Sequence, residues 1–379
     1  MKALIPAALL GLLLVARFAP NASTASPAGR FELPPPAGKS ALESVFEIKE
    51  PQLVAATLVG QRMFTASPRW SHNPTFPLAE TGPNNTVKPY PDAGWCIWND
   101  SVKNEPQKHW ISPQGLITDS EGMLWVLDPA APGMKFNVEN GPKLVRIDPK
   151  TNAVVKSIVF DRATVPHRAY LNDVRVDLKT QTAYITESNP GGLYVVDLAS
   201  GKARRVLSKH PSVKAEPGVL LTVEGHKMID QDGKPMTVHS DGIALSPDNQ
   251  TLYYQALTGH TLYKIATADL RNAALSDEQL GQRVQKVATT PATDGMMCDP
   301  AGNIWLTAFE QNALVRVTPA GKVETIATDA RLQWPDSYCF TPDGQLYVTA
   351  SQIHKMPQWN KGKSEQTTPF RVLRMKMPK

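Results

Sequence analysis

Six polar residues recur at one fixed position of an internal repeat: Gln52, Gln114, Asn172, Asp241, Asp294 and Asp336. Three are carboxylates and none is a cation. Brought together, they would form an oxygen-rich mouth that binds a cation or shares protons, because neighbouring carboxylates raise one another's pKa. An oxygen-only set suits Ca²⁺ or another hard divalent ion better than a thiolate-loving metal, and it suits an organic ammonium equally. Aromatic and imidazole groups lie close by in sequence. Trp334 and Tyr338 flank Asp336, Trp70 ends the first copy, and His239 lies two residues before Asp241. A histidine there could serve as general acid or base near neutral pH. Each polar residue also has a plainer reading, that of opening a strand and bonding the nearby backbone. For Asp241 and Asp294, each followed by Gly, that reading extends to ordinary turn chemistry.

The repeat predicts the elements that must position these groups. QGLITDSEGMLWVLD (114–128), NDVRVDLKTQTAYITES (172–188), DGIALSPDNQTLYYQAL (241–257), DGMMCDPAGNIWLTAFE (294–310) and DSYCFTPDGQLYVTASQ (336–352) share one pattern, with a weaker copy at 52–67. Each reads as a strand, a tight turn and a second strand carrying an aromatic residue. Eight positions after the first residue comes a turn residue: Gly60, Gly122, Thr180, Asn249, Gly302 or Gly344. Gly and Asn tolerate the positive φ of hairpin turns. Three positions before that turn residue stands Thr57, Asp119, Asp177, Ser246, Asp299 or Thr341, able to accept hydrogen bonds from the turn backbone. Alternating runs such as 144–160, 193–207 and 314–328 supply further strands. Four antiparallel strands repeated six times predict an all-β, six-bladed β-propeller. The early run SVFEIKE (44–50) would close a last blade that lacks its fourth strand, covering two exposed edges. The aromatics Phe64, Trp125, Tyr184, Tyr253, Trp305 and Tyr347 read as blade-packing residues.

Residues 1–25 read as a cleaved signal peptide, with Lys2, the apolar run 3–16 and Ala22-Ser23-Thr24-Ala25 as the cleavage site. Residues 26–43 read as a Pro-rich linker and 44–379 as the propeller, secreted or periplasmic and with no membrane contact after processing. Loss of Lys2 and Arg17 would lower the net charge from +5 to +3, too dispersed to imply nucleic acid. Cys96, Cys298 and Cys339 allow at most one disulfide and read as small buried apolar residues. The sequence contains no G-x-S-x-G, H-E-x-x-H, P-loop or dinucleotide motif, which argues against serine-hydrolase, zincin and nucleotide chemistry.

HSDGIALSPDNQTLYYQALTGHTLYKIATADLRN (239–272), PYPD (89–92), ISPQGLITDSEGMLWVLD (111–128) and KARRVLSKHP (202–211) resemble the major royal jelly and Yellow proteins. The resemblance runs from about residue 44 to 355. It implies a secreted propeller that binds a small aromatic or cationic molecule in its channel, with Gln52, Gln114, Trp334 and Tyr338 around the ligand. Some members are associated with dopachrome conversion, which would place Asp241, Asp294, Asp336 and His239 at the chemistry. A more distant similarity to the regucalcin and gluconolactonase group implies a divalent metal, Ca²⁺ first, on Asn172, Asp241 and Asp294. Asp173 or a histidine would then assist water in opening a lactone. The Glu that serves as that group's fourth ligand is replaced here by Gln52 or Gln114. A third reading is a non-catalytic propeller that binds protein through its outer loops.

Overall fold

Every strand pair expected from the repeat forms, and each grows into a four-stranded antiparallel sheet. The computed structural model describes residues 31–36 and 42–378; the export segment lies outside the described residues, as does most of the linker. The innermost strands of the six blades are, in chain order, Ala55–Val59, Gly115–Thr118, Tyr170–Asp177, Ser240–Leu245, Met296–Cys298 and Pro335–Phe340. Each touches the next, and the last touches the first, so they enclose an axial channel. The N-terminal strand Glu43–Ile48 pairs antiparallel with Phe370–Lys376 and supplies the fourth strand of the sixth blade. Phe46 anchors it in the core against Val372, and Glu47 meets Arg371 at 3.1 Å. The start and end of the propeller are thus held in one sheet.

Apolar faces of consecutive blades pack together as the alternation requires. Phe64, Trp125, Tyr184, Trp305 and Tyr347 are buried, whereas Tyr253 is only partly so and Tyr254 is fully enclosed. Three of the aromatics carry a cross-strand arginine over the ring: Arg146 on Trp125, Arg316 on Trp305 and Arg374 on Tyr347. The arginine covers an aromatic face, where the ring's negative quadrupole attracts the cation.

The turn column holds with two departures. Asp119, Asp177, Ser246, Asp299 and Thr341 each accept a backbone N–H of their own turn. Asp119 and Asp299 also accept the indole N–H of Trp125 and Trp305 at 2.8 and 2.9 Å. Thr57 does not cap: the first blade turns in two residues after Val59, and Thr57 Oγ1 instead meets Thr118 Oγ1. In the third blade the left-handed residue is Gln181, one position later than Thr180, directly before the pairing of Asp177 with Thr182. All three cysteines are unbridged, and burial raises each thiol's pKa.

Candidate functional site

The ring residues sit where each inner strand begins, and three of the inner strands are irregular at that point. Register shifts fall across Leu171/Val174, Ser240/Ile243 and Pro335/Tyr338. A bulge leaves residues unpaired and re-aims their side chains, so Asn172 and its neighbour Asp173 both lie at the channel. A threonine of the second strand satisfies the freed backbone. Thr186 Oγ1 accepts from Asp173 N, Thr307 Oγ1 from Gly295 N, and Thr349 Oγ1 from Ser337 N. Thr186 and Thr349 also donate to the next blade, at Asp241 O and Val54 O. These threonines recur in the copies as AYITES, IWLTAF and LYVTAS, a column legible in the sequence but not read there.

The glycines after the ring residues have a different cause from turn chemistry. A Cβ on Gly115 would lie 3.0 Å from Asn172 O, one on Gly242 2.7 Å from Asp294 O, and one on Gly295 1.7 Å from Asp336 O. None of the three needs a left-handed φ; each lets one inner strand touch the next at the mouth.

Gln114, Asn172, Asp241, Asp294 and Asp336 line one cavity of about 340 Å³, together with Trp70, Tyr170, Trp334 and Trp359. The insertions at 208–240 and 353–369 wall its outer side through Met236, Thr237, Val238, Ile353 and Gln358. Gln52 is not among the lining residues; its Nε2 donates to Ser351 O and its side chain faces another cavity. Tyr338 is buried between blades with its hydroxyl on Leu306 O. His239 is also outside the lining. Its Nδ1 accepts from Ala215 N at 2.9 Å, which ties it to a loop, and burial lowers its pKa.

Trp334 is fully buried, holds a left-handed φ of 56°, and donates Nε1–H to Asp294 Oδ2 at 2.6 Å. A bulky residue in that conformation is strained. Stacking on Phe309 at 4.2 Å and 14° supports it, with His354 on a parallel plane at 6.1 Å. Ser188 donates to Asp241 Oδ2 at 3.0 Å. Asp241 and Asp294 line the same cavity, and the Asp294 charge helps to hold a proton on Asp241. Burial, and then the facing charges, push Asp241 and Asp336 well above the carboxylate range; Asp294 rises to about 7. Asp173 does not line the cavity, but its charge helps to raise Asp241, Asp294 and Asp336, and its own carboxyl is raised by burial. Arg175, deeper in the channel, is the cation nearest to it, at 4.0 Å. On the opposite wall Trp70 Nε1 donates to the Tyr170 hydroxyl at 2.8 Å, and that hydroxyl donates to Gln114 Oε1.

Residues 111–379 match the family described as major royal jelly protein. The chain belongs to that family. Major royal jelly protein 6 of Apis mellifera is 26% identical over 195 residues, which is 47% of this chain and 39% of the relative. The match thus spans well under half of that relative's length. A luciferin-regenerating enzyme superposes with a TM-score of 0.52 at 13% identity, covering 88% of this chain and 94% of the other. A gluconolactonase from Xanthomonas campestris gives 0.48 at 12% identity, covering 89% and 98%. At such identities the structural likeness speaks to fold alone. The first blade precedes the matched segment, so this royal-jelly-family site is built almost wholly from the matched part, with Trp70 added from before it.

For a divalent ion the donor set fits in part. Asn172 Oδ1 and Asp241 Oδ1 are buried and receive no hydrogen bond, and both belong to the cavity lining. Among the described residues, no three His, Cys, Asp or Glu side chains are grouped as metal ligands. Asn172 would therefore have to supply an oxygen beside Asp241 and Asp294.

Proposed function

We propose that this royal-jelly-family propeller binds a small aromatic amine in the axial cavity. The observation that carries the reading is the company of the carboxylates. Asp241, Asp294 and Asp336 line one cavity with the Asp173 charge beside them, Arg175 stands no nearer than 4.0 Å to Asp173, and the wall above them is tryptophan and tyrosine. An ammonium group entering the ring relieves carboxylate repulsion and takes up the unpaired oxygens of Asn172 and Asp241. The ligand's ring then lies among Trp70, Trp334 and Trp359, where aromatic faces favour both stacking and a nearby positive charge.

Binding the amine in this setting also places it beside a proton. The raised carboxyls of Asp241 and Asp294 favour a second reading, in which an ionised carboxylate of the ring takes a proton from the bound molecule and a protonated neighbour returns one at another atom. Such an isomerisation leaves no net change in protons and consumes no co-reactant.

Calorimetry with tyramine, against 4-ethylphenol as the analogue lacking the amine, tests the binding reading. Tyramine is expected to bind at least tenfold more tightly at pH 8, with its advantage lost in Asp294→Asn. Equal affinity for the two ligands would sink the amine reading. A melting temperature raised by Ca²⁺, lowered by chelator and indifferent to both in Asp294→Asn would instead favour a metal held on Asn172, Asp241 and Asp294. That metal would polarise a lactone carbonyl or activate water.

A further inference from the structure

A second cavity, of about 540 Å³, lies off the axis where the first blade meets the closing strand. Its walls come from 48–53, the 65–79 region, Val87 and 364–370. The size falls within the range of roughly 300–1,000 Å³ typical of small-molecule sites.

Three polar side-chain atoms of its lining are buried with no hydrogen-bond partner: Gln52 Oε1, His72 Nε2 and Gln366 Nε2. Gln52 is only 2% exposed, and its amide is fixed by the bond from Nε2 to Ser351 O, so Oε1 is the acceptor. Gln366 Nε2 is a donor. Burial holds the His72 imidazole below its usual range, so its Nε2 is a neutral donor or acceptor. Buried polar atoms rarely stay unpaired, and three in one cavity call for an occupant. Around them Leu53, Phe76 and Phe370 supply apolar surface, while Lys49 and Glu50 bring one charge of each sign to the lining.

We infer that this lateral cavity binds a neutral, hydroxyl-rich molecule of monosaccharide size. A hydroxyl both donates and accepts, so one ligand satisfies an acceptor, a donor and an imidazole of either tautomer. The C–H face of such a ring packs on Phe76 and Phe370. A net charge gains nothing from a floor of neutral amides and pays for its own desolvation. The insertion 353–369 links this cavity to the axial one. Ile353, Gln358 and Trp359 wall the axial cavity, and Ser364, Gln366 and Thr368 wall the lateral one.

Saturation-transfer NMR on the full mature chain, with D-glucose as probe and gluconate as its charged counterpart, tests the assignment. Glucose is expected to receive saturation, and gluconate to compete at least tenfold less well. Gln366→Leu, a change on a surface loop, should weaken glucose binding several-fold without altering the melting curve or tyramine affinity. His72→Phe should abolish it. Asp294→Asn should leave glucose binding intact while losing tyramine, which separates this site from the axial one. No transfer to glucose would mean that the cavity holds water only and would overturn the inference. So would tighter binding of gluconate, or glucose binding that Asp294→Asn abolishes and Gln366→Leu spares.

Discussion

Asp128 and Asp294 are both buried carboxylates in the same propeller, and their surroundings could hardly differ more. Asp128 accepts backbone N–H groups from Ile111, Ser112 and Ala130 at 2.7–2.9 Å and the ammonium of Lys143 at 2.9 Å. Lys143 in turn spends its other donors on Pro106 O and Gly141 O, and neither side chain of the pair is exposed. Asp294 has one indole N–H and otherwise faces other carboxylates. A charge with every lone pair filled is part of the scaffold, fixing the loop before the second blade. A carboxylate left underfilled beside a cavity has no such set of partners, and its protonation shifts to relieve the cost.

The contrast can be broken most sharply at Lys143. Lys143→Met leaves Asp128 charged and buried without its partner, and urea denaturation should record a loss of about 3–5 kcal/mol. A loss near zero would mean that Asp128 is no more scaffold than Asp294. Next comes Trp334→Phe, which keeps the ring on Phe309 but removes the indole donor to Asp294. A hydrogen bond to a charged group contributes about 1.5–3 kcal/mol, so that loss is expected at pH 8, where Asp294 is ionised. It should shrink at pH 5, where the carboxyl is neutral; the same loss at both values would show that Asp294 does not titrate between them.

The smallest effect concerns pH alone. Asp294, raised to about 7, binds more protons folded than unfolded between that value and the ordinary carboxylate value of about 3.9. Its contribution to stability is therefore fully present below the unfolded value and lost as pH rises through about 7. The ligand-free protein should melt lower at pH 8 than at pH 5.5, and Asp294→Asn should flatten that decline by on the order of 1 kcal/mol. Tyramine affinity should run the other way, strengthening as the ring ionises. A variant whose decline matches that of the wild type would remove Asp294 from the titrating group.

Much of this was legible in the chain. The column of Gln, Asn and Asp at the head of each copy predicted five of the residues that line the axial cavity, because a repeat maps sequence position onto position around the axis. The same rule misplaced Gln52. Its copy turns in two residues and packs against the closing strand, so the first residue of the repeat lies outside the ring. Tyr338 and His239 were judged by nearness in sequence to Asp336 and Asp241, and adjacency along a strand says nothing about the face a side chain takes. Asp173 entered the sequence reading only as a group that could assist water, and its place beside the ring carboxylates depends on the bulge after Leu171. The bulge that redirects it is supported by Thr186, on a different strand.

The sequence by itself determined the blade number, the aromatic layers, the capped turns and the closing strand, because each is set by periodicity and turn chemistry within one short unit. The tertiary structure decided which polar groups meet and which are left unpaired. Carboxylate repulsion around the axis, the contact of Gly295 with Asp336 O, and the three unfilled atoms of the lateral cavity are properties of distances between blades. No local rule of the repeat encodes them.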